Sequence, residues 1–129
     1  MRHKLSGKTL NRSTNHRRSL MKNQLSQLIV NENLTTTQTK AYLVKKNVQQ
    51  IISKAKNTSL HNRRQLLTQV FDKKVITKLT NDLVPRYADL KGGFITSKRL
   101  KKRRGDNALL IKLELKKAPE KKPEKVAQK

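Results

Sequence analysis

Residues 40–56, KAYLVKKNVQQIISKAK, decide the fold that this sequence predicts, because their apolar positions recur at the spacing of an α-helix. The apolar face consists of Ala41, Val44, Val48, Ile51, Ile52 and Ala55. The other face carries Lys40, Lys45, Lys46, Lys54 and Lys56. Thr37 or Thr39 is suited to cap the N-terminus of this helix. We therefore expect a long helix with one face in the core and one basic face outside it.

The chain before this helix predicts a basic arm, a first helix and a short strand. Residues 1–12 have no helical apolar pattern and include Gly7, which indicates an extended arm. Residues 34–37, LTTT, are β-branched and predict a strand. Ser13 is a suitable N-cap for the first helix, whose predicted buried face is Leu20, Met21, Leu25, Leu28 and Ile29.

Two more helices are predicted after the long helix. Ser59 is a suitable N-cap for the first of them, which contains Leu60, Leu67, Val70 and Phe71. Asp72 is suited to cap the second, with Val75, Ile76, Leu79 and Leu83 inside. We expect Pro85 to end this helix, since proline lacks the backbone N–H and clashes with the preceding turn.

The apolar period changes to two after Gly92 and Gly93. Residues 94–100 predict one strand, and residues 109–116 predict another by alternation of apolar and polar side chains. Between them, the sequence Gly105-Asp106-Asn107 has turn chemistry, so a hairpin is expected. The predicted element order is therefore α-β-α-α-α-β-β.

Composition limits the class of protein. The chain has 129 residues, enough for one compact domain, with 32 Lys and Arg against 8 Asp and Glu, a net charge of +24. Such an excess destabilises a compact state unless another molecule supplies anions. There is no Cys, no signal-peptide pattern and no membrane-length apolar segment, so an intracellular, soluble protein is expected. Residues 116–129 contain mainly Lys, Glu, Pro, Ala and Gln, and predict a disordered tail.

The sequence offers little for catalysis. His3, His16 and His61 are far apart and have no metal-ligand spacing, and carboxylates are sparse. No phosphate-binding glycine loop or nucleophile motif is present. We therefore expect no enzymatic activity, no cofactor, no metal and no small-molecule substrate.

Three basic features indicate nucleic-acid binding instead. The first is the arm, together with the cations in the first turn of the first helix. The second is the lysine face of the second helix, extended by Arg63 and Arg64. The third is the sequence KRLKKRR at residues 98–104, at the end of the hairpin. Cations at a helix N-terminus are unfavourable by about 0.3–1 kcal/mol each, and a phosphate there reverses the effect. Because aromatic residues are few, contact with the phosphates of folded nucleic acid is favoured over stacking on single-stranded bases.

The order of these pieces closely resembles the bacterial large-subunit ribosomal protein L17 family. The resemblance covers about residues 1–115. It is carried by MRHKLSGKTLNR at residues 1–12, HRRSLMKNQLSQLI at 16–29, LTTTQTKA at 34–41, KAK at 54–56, KLTNDLVPRYADLKGGF at 78–94 and RRGDNALLIKLEL at 103–115. It implies an α+β fold in two layers, with a small three-stranded sheet packed against helices. We accordingly expect an arm at 1–12, one domain at 13–115 and a tail at 116–129, but the register of the strand at 94–100 stays open.

The resemblance also implies a function. It predicts a structural constituent of the large ribosomal subunit in the bacterial cytoplasm, which binds large-subunit rRNA near the polypeptide exit tunnel, beside neighbouring ribosomal proteins. The predicted rRNA contacts are Arg2, His3, Lys4, Lys8, Arg12, His16, Arg17, Arg18, Lys22, Lys40, Lys45, Lys46, Arg63, Arg64, Arg86, Lys98, Arg99, Lys101, Lys102, Arg103 and Arg104.

Two alternatives stay open from the residues alone. A DNA-compacting or architectural protein has the same charge, and requires either a dimerisation surface or a base-reading helix, for which Asn47, Gln49 and Gln50 are candidates. A membrane-surface protein would use the basic second helix. Its apolar face of Ala, Val and Ile suits a protein core better than a lipid interface, so no membrane partner is expected.

Overall fold

The protein is described by a computed structural model that covers residues 8–57, 59–70 and 72–117. The predictions for Arg2, His3, Lys4, Phe71 and the tail from residue 118 lie outside these residues. The elements are α1 (Thr14–Asn31), β1 (Asn33–Thr37), α2 (Gln38–Ala55), α3 (Leu60–Gln69), α4 (Lys73–Lys78), a π-helical turn (Leu79–Leu83), α5 (Val84–Arg86), β2 (Ile95–Lys102) and β3 (Leu109–Leu115). With α4, the π turn and α5 counted as one continuous helix, the predicted order and the α+β class are confirmed.

The four longer helical segments begin at the N-cap residues that the sequence predicted. Ser13, Thr37, Ser59 and Asp72 occupy the N-cap positions of α1, α2, α3 and α4, which decides for Thr37 over Thr39. None of the four side chains makes the capping hydrogen bond, and none of these helices has an acidic residue in its first turn. The N–H groups that a cap would satisfy are therefore left to other acceptors.

The three strands form one antiparallel sheet in the order β1-β3-β2. Leu113 of β3 pairs with Leu34 of β1, and Leu115 pairs with Ile95 of β2. The register shifts between Arg99 and Lys102, which leaves β2 with one extra residue. Such a bulge increases the local twist of a strand. This pairing settles the register of the β2 strand.

The core lies between the sheet and the helices and forms one continuous cluster. All six predicted apolar positions of α2 are buried, as are Val75, Ile76, Leu79 and Leu83. In α1, Leu25, Leu28 and Ile29 are buried, whereas Leu20 and Met21 are only half-buried. The periodicity of the two longest helices therefore predicted their buried faces, except at the first turns of α1.

The apolar residues of α3 are divided between the core and the surface. Leu66 and Val70 are buried, but the exposed fractions of Leu60 and Leu67 are 64% and 43%. Leu66 and Leu67 are adjacent, and a helix places neighbouring residues about 100° apart, so only one of them faces the core. The sequence of α3 lacks the long apolar repeat that would have identified the correct one.

The fourth helix continues through Pro85, contrary to the prediction. Residues 79–83 form a π turn in which the N–H of Val84 donates to the carbonyl of Leu79, five residues earlier. Beyond it, the N–H of Tyr87 donates to Leu83 over 3.1 Å. Pro85 therefore stands in the first turn of α5, where a missing N–H is tolerated. The helix ends at Arg86 instead.

Candidate nucleic-acid interface

The segment before α1 is folded against that helix. Residues 9–12 form a turn, closed by the N–H of Arg12 and the carbonyl of Thr9 at 3.2 Å, with positive φ at Leu10 and Asn11. Arg17 holds the turn, since its Nη1 donates to the carbonyls of Thr9 and Arg12 at 3.4 and 3.5 Å. This part of the predicted arm is thus a turn and not an extended chain, and it brings its cations to the N-terminus of α1.

The start of α1 borders a groove with a basic rim and an apolar floor. The groove, of about 470 Å³, runs between α1, α2 and the end of α3. Its rim carries Lys8, Arg17, Arg18 and Lys22, and its floor includes Met21, Leu25, Leu43 and Ile51. His16 lies exposed in the first turn of the same helix. The structure therefore brings Lys8 of the predicted arm together with Arg17, Arg18 and Lys22 of α1.

A second groove, of about 460 Å³, lies between α2 and the β2–β3 hairpin. Lys8 also borders this groove, and its Nζ stands 5.1 Å from the ring centroid of Tyr42. Lys45 lines the same groove beside Ser97 of β2. Lys8 thus connects the two basic grooves.

The predicted lysine face of α2 is divided between separate surfaces. Lys46 and Lys54 line a third groove with Lys91, Gly92 and Gly93, away from Lys45. Lys56 is turned inward, where its Nζ donates to the carbonyls of Leu90 and Ala88 and lies 5.1 Å from the Phe94 ring centroid. Lys40 is half-buried in the first turn of α2. The lysines of this helix therefore do not act as one face.

The two arginines of α3 are also separate from Lys45. Arg63 lines a groove between α3 and α4, together with Lys73 and Thr77. Arg64 is exposed. The extension of the lysine face by Arg63 and Arg64 is therefore not observed as a single surface.

The hairpin carries the densest group of exposed cations. Every β2 residue after Ile95 is exposed, and so are Arg103 and Arg104 in the turn. Positive φ at Gly105 and Asn107 closes the turn, with a 2.9 Å hydrogen bond from the N–H of Arg103 to the carbonyl of Ala108. The predicted hairpin is confirmed, and it carries Arg99, Lys101, Lys102, Arg103 and Arg104 away from the core.

Arg103 also stabilises the turn. Its Nε donates to Oδ1 of Asp106 over 3.0 Å, and its Nη2 donates to Oδ2. The guanidinium lowers the pKa of Asp106 to about 2, aided by the backbone N–H of Ala108. Of the hairpin cations, Arg103 therefore has a carboxylate partner within the turn itself.

The open face of the sheet carries a mixed cluster that sequence reasoning only partly found. Lys98 and Lys112 are cross-strand partners, and both contact Glu114, at 2.9 and 2.8 Å. Hydrogen bonds from Lys112 and then Lys98 lower the pKa of Glu114 to about 2. Lys112 was missed as a site residue, although its place in the alternating pattern of β3 predicted that it points away from the core.

Arg86 lies in an internal ionic cluster instead of on an open surface. Its Nη atoms donate to Glu32 at 2.7 and 3.1 Å and to Asp82 at 2.9 Å, and Lys78 contacts Glu32 at 3.2 Å. The hydrogen bond from Arg86 lowers the pKa of Glu32, and the same bond raises the pKa of Arg86. The side chain of Arg86 is 17% exposed. These contacts favour a structural role for this predicted site residue.

Comparison with known proteins identifies the chain. The family model of ribosomal protein L17 matches residues 20–116. This chain belongs to the ribosomal protein L17 family. It is 39% identical to the large ribosomal subunit protein bL17 of Syntrophotalea carbinolica and 37% identical to that of Geobacter metallireducens. Each alignment spans 115 residues, or 89% of this chain, and covers 74% and 65% of the two relatives.

Membership of the L17 family confirms the general function that the sequence predicted. This L17 protein is a structural protein of the bacterial large ribosomal subunit, in the cytoplasmic ribosome, and is not an enzyme. The comparisons give no support to the DNA-compacting alternative.

Within residues 8–57, 59–70 and 72–117, no group of His, Asp and Glu is arranged to hold a metal ion. No helix in that same part of the L17 chain is long and apolar enough to cross a membrane.

Proposed function

We propose that this L17 protein binds large-subunit rRNA through the turn at residues 8–12, the start of α1, the grooves beside α2 and the tip of the hairpin. The observation that carries the proposal is the run of exposed cations from Lys98 to Arg104, on a hairpin that extends from the core. Since the whole chain has a charge of +24, an external polyanion is needed to balance it.

Four carboxylates in the described residues do not serve this purpose, because they form ion pairs within the fold. Glu32 and Asp82 bind Arg86, Asp106 binds Arg103, and Glu114 binds Lys98 and Lys112. These ion pairs stabilise the helix ends, the turn of the β2–β3 hairpin and the sheet. The cations of the grooves and of the hairpin tip are therefore suited to phosphates, which supply most of the affinity in such interfaces.

The cations lie on several faces of the molecule. A protein that reads one duplex groove concentrates its contacts on one helix or ribbon. A small body with basic surfaces on the α1 side, the α2 side and the hairpin is suited to contact several RNA segments packed around it. We propose that residues 1–12 act as an arm that contributes to these contacts, that residues 13–115 form the domain and that residues 116–129 form a tail.

We also propose a position near the polypeptide exit tunnel, beside neighbouring large-subunit proteins. The family resemblance supports this position. Exposed apolar side chains suited to protein contacts are Val30, Leu60, Leu67 and Leu100.

Sedimentation tests the association with rRNA. Epitope-tagged protein in a cell lysate should sediment with large subunits at moderate salt, and cross-linking should recover large-subunit rRNA. Purified protein should prefer rRNA transcripts to duplex DNA at equal ionic strength. Tagged protein that stays at the top of the gradient, or that prefers duplex DNA, would overturn the proposal. A density map of the large subunit tests the position at the tunnel.

A further inference from the structure

The groove between α2 and the hairpin contains an exposed aromatic ring. Tyr42 is 61% exposed, whereas Tyr87 and Phe94 are fully buried. Among the aromatic side chains that the structure describes, Tyr42 is therefore the one available to a ligand. A single exposed ring is ordinary on a protein surface, and what distinguishes Tyr42 is the basic groove that surrounds it.

We propose that this groove binds one unpaired RNA nucleotide, with its base stacked on Tyr42 and its phosphate held at the start of α2. The proposal rests on the rRNA-binding function proposed above. It specifies one unpaired nucleotide as the ligand of one basic groove of the protein.

The base site is formed by the ring and the apolar floor beside it. Ala41, Ile111 and Leu113 lie at the bottom of the groove, and Ser97 and Gln38 offer hydrogen-bonding groups at its sides. The Nζ of Lys8 lies 5.1 Å from the ring centroid, a cation–π distance. Every base has a π-face, so such a ring accepts an unstacked base with little sequence preference.

The phosphate site is formed by the first turn of α2. Gln38, Tyr42 and Lys45 are four and three residues apart, so they lie on one face of the helix, and all three line the groove. The first turn has no acidic residue, and Thr37 does not cap it. Backbone N–H groups and the helix dipole therefore favour an anion there, and Lys8 and Lys45 add positive charge.

The other grooves lack this combination. The groove beside α1 has cations and an apolar floor, but no aromatic side chain lines it. The groove at Gly92 and Gly93 reaches Phe94, which is fully buried. An exposed ring, cations and a helix N-terminus occur together only in the α2–hairpin groove, among the grooves found in the described residues.

Substitution of Tyr42 tests the inference. Binding to domain-sized transcripts of large-subunit rRNA is measured for the purified wild-type protein, for Tyr42→Ala and Tyr42→Phe, and for the control Gln27→Ala, an exposed position on α1 outside the grooves described above. Tyr42→Ala should weaken binding by about 5- to 150-fold, the range for loss of one base–aromatic stack. Tyr42→Phe, which keeps the ring, should stay within about twofold of wild type, as should Gln27→Ala.

The salt dependence separates stacking from charge. Because the ring is neutral, Tyr42→Ala should leave the slope of log affinity against log salt unchanged, whereas Lys45→Ala should reduce its magnitude by about 0.7–0.9. Binding to duplex DNA, which offers no unpaired base, should not respond to Tyr42→Ala. Thermal unfolding of each variant checks that the fold is intact.

Fluorescence gives an independent readout, because the chain has no Trp and only two Tyr. In the Tyr87→Phe variant, Tyr42 is the sole tyrosine, and rRNA binding should quench its emission. If Tyr42→Ala binds rRNA as wild type does, or if binding leaves the emission unchanged, the nucleotide site is overturned while rRNA binding stands. If wild-type protein does not bind rRNA, the proposed function itself fails.

Discussion

The guanidinium of Arg86 joins the carboxylate of Glu32 across 54 residues of sequence, through hydrogen bonds of 2.7 and 3.1 Å. Glu32 ends α1 in a left-handed conformation, with φ at 59°, and its carbonyl accepts a hydrogen bond from the N–H of Leu115. The same guanidinium binds Asp82 on its own helix. One side chain therefore connects the end of α1 to the helix that contains the π turn.

Loss of this connection should destabilise the fold. We expect Arg86→Ala to lower the free energy of unfolding by about 1–3 kcal/mol, since it removes the arginine donor of Asp82 and leaves Glu32 with Lys78 alone. Arg86→Lys should recover only part of this loss, because an ammonium lacks the planar fork. Urea unfolding measures the change in the free energy of unfolding for both variants. Unchanged stability together with weaker rRNA binding would instead make Arg86 an rRNA contact, as the sequence predicted.

Stability should fall at acid pH through Glu114. Its pKa lies at about 2 in the fold, against an ordinary value of 4.5. A carboxyl whose folded pKa is lowered contributes stability above its unfolded pKa and loses it as the pH falls towards the folded pKa. We expect the free energy of unfolding to decrease between about pH 4.5 and 2, and less steeply in Glu114→Gln. Parallel curves for the two proteins would contradict this.

The hydroxyl and the ring of Tyr87 should make very different contributions to the free energy of unfolding. The hydroxyl donates to the carbonyl of Lys116 over 2.6 Å, and the buried ring lies 5.2 Å from that of Phe94. Tyr87→Phe should cost about 0.5–1.5 kcal/mol, and Tyr87→Ala about 3–5 kcal/mol, because the latter opens a cavity. Burial raises the pKa of Tyr87, so its hydroxyl should ionise above the ordinary value of 10.0 in a spectrophotometric titration. Equal losses in the two variants would be the contrary result.

Removal of residues 1–12 should weaken rRNA binding and leave the fold intact. The described core begins at Leu25, so the cooperative thermal transition should remain. Four Lys and Arg are lost with this segment, and the salt slope of rRNA binding should shrink by about 3. Loss of the cooperative transition would show that the segment belongs to the folded domain.

The hairpin cations should separate into two classes. Replacement of Lys101, Lys102 and Arg104 by Gln should reduce the salt slope by about 2–3 without a change in Tm. Asp106→Asn should instead lower Tm, because it weakens the contacts of Asp106 with Arg103 and Ala108 in the turn. Equal effects of the triple variant and of Asp106→Asn on Tm would contradict the division.

Periodicity succeeded where one face of an element contacts the core along its whole length. The six buried positions of α2 and the alternation of β3 were predicted because burial repeats with the period of the backbone. It gave no buried face for α3, where the helix contacts the core mainly near its end, so Leu66 and not Leu67 is buried. It also failed at Pro85, since a π turn accommodates a proline that an α-helical ladder would reject.

For this L17 family member, the sequence by itself determined the order of the elements, the buried face of the long helix and the excess of positive charge. These depend on local spacing and on composition. The tertiary structure decided how the cations are grouped: it turned Arg86 and Lys56 inward, separated Lys45 from Lys46 and placed Tyr42 in the groove between α2 and the hairpin. Such groupings depend on contacts between residues that are distant along the chain, which no local pattern records.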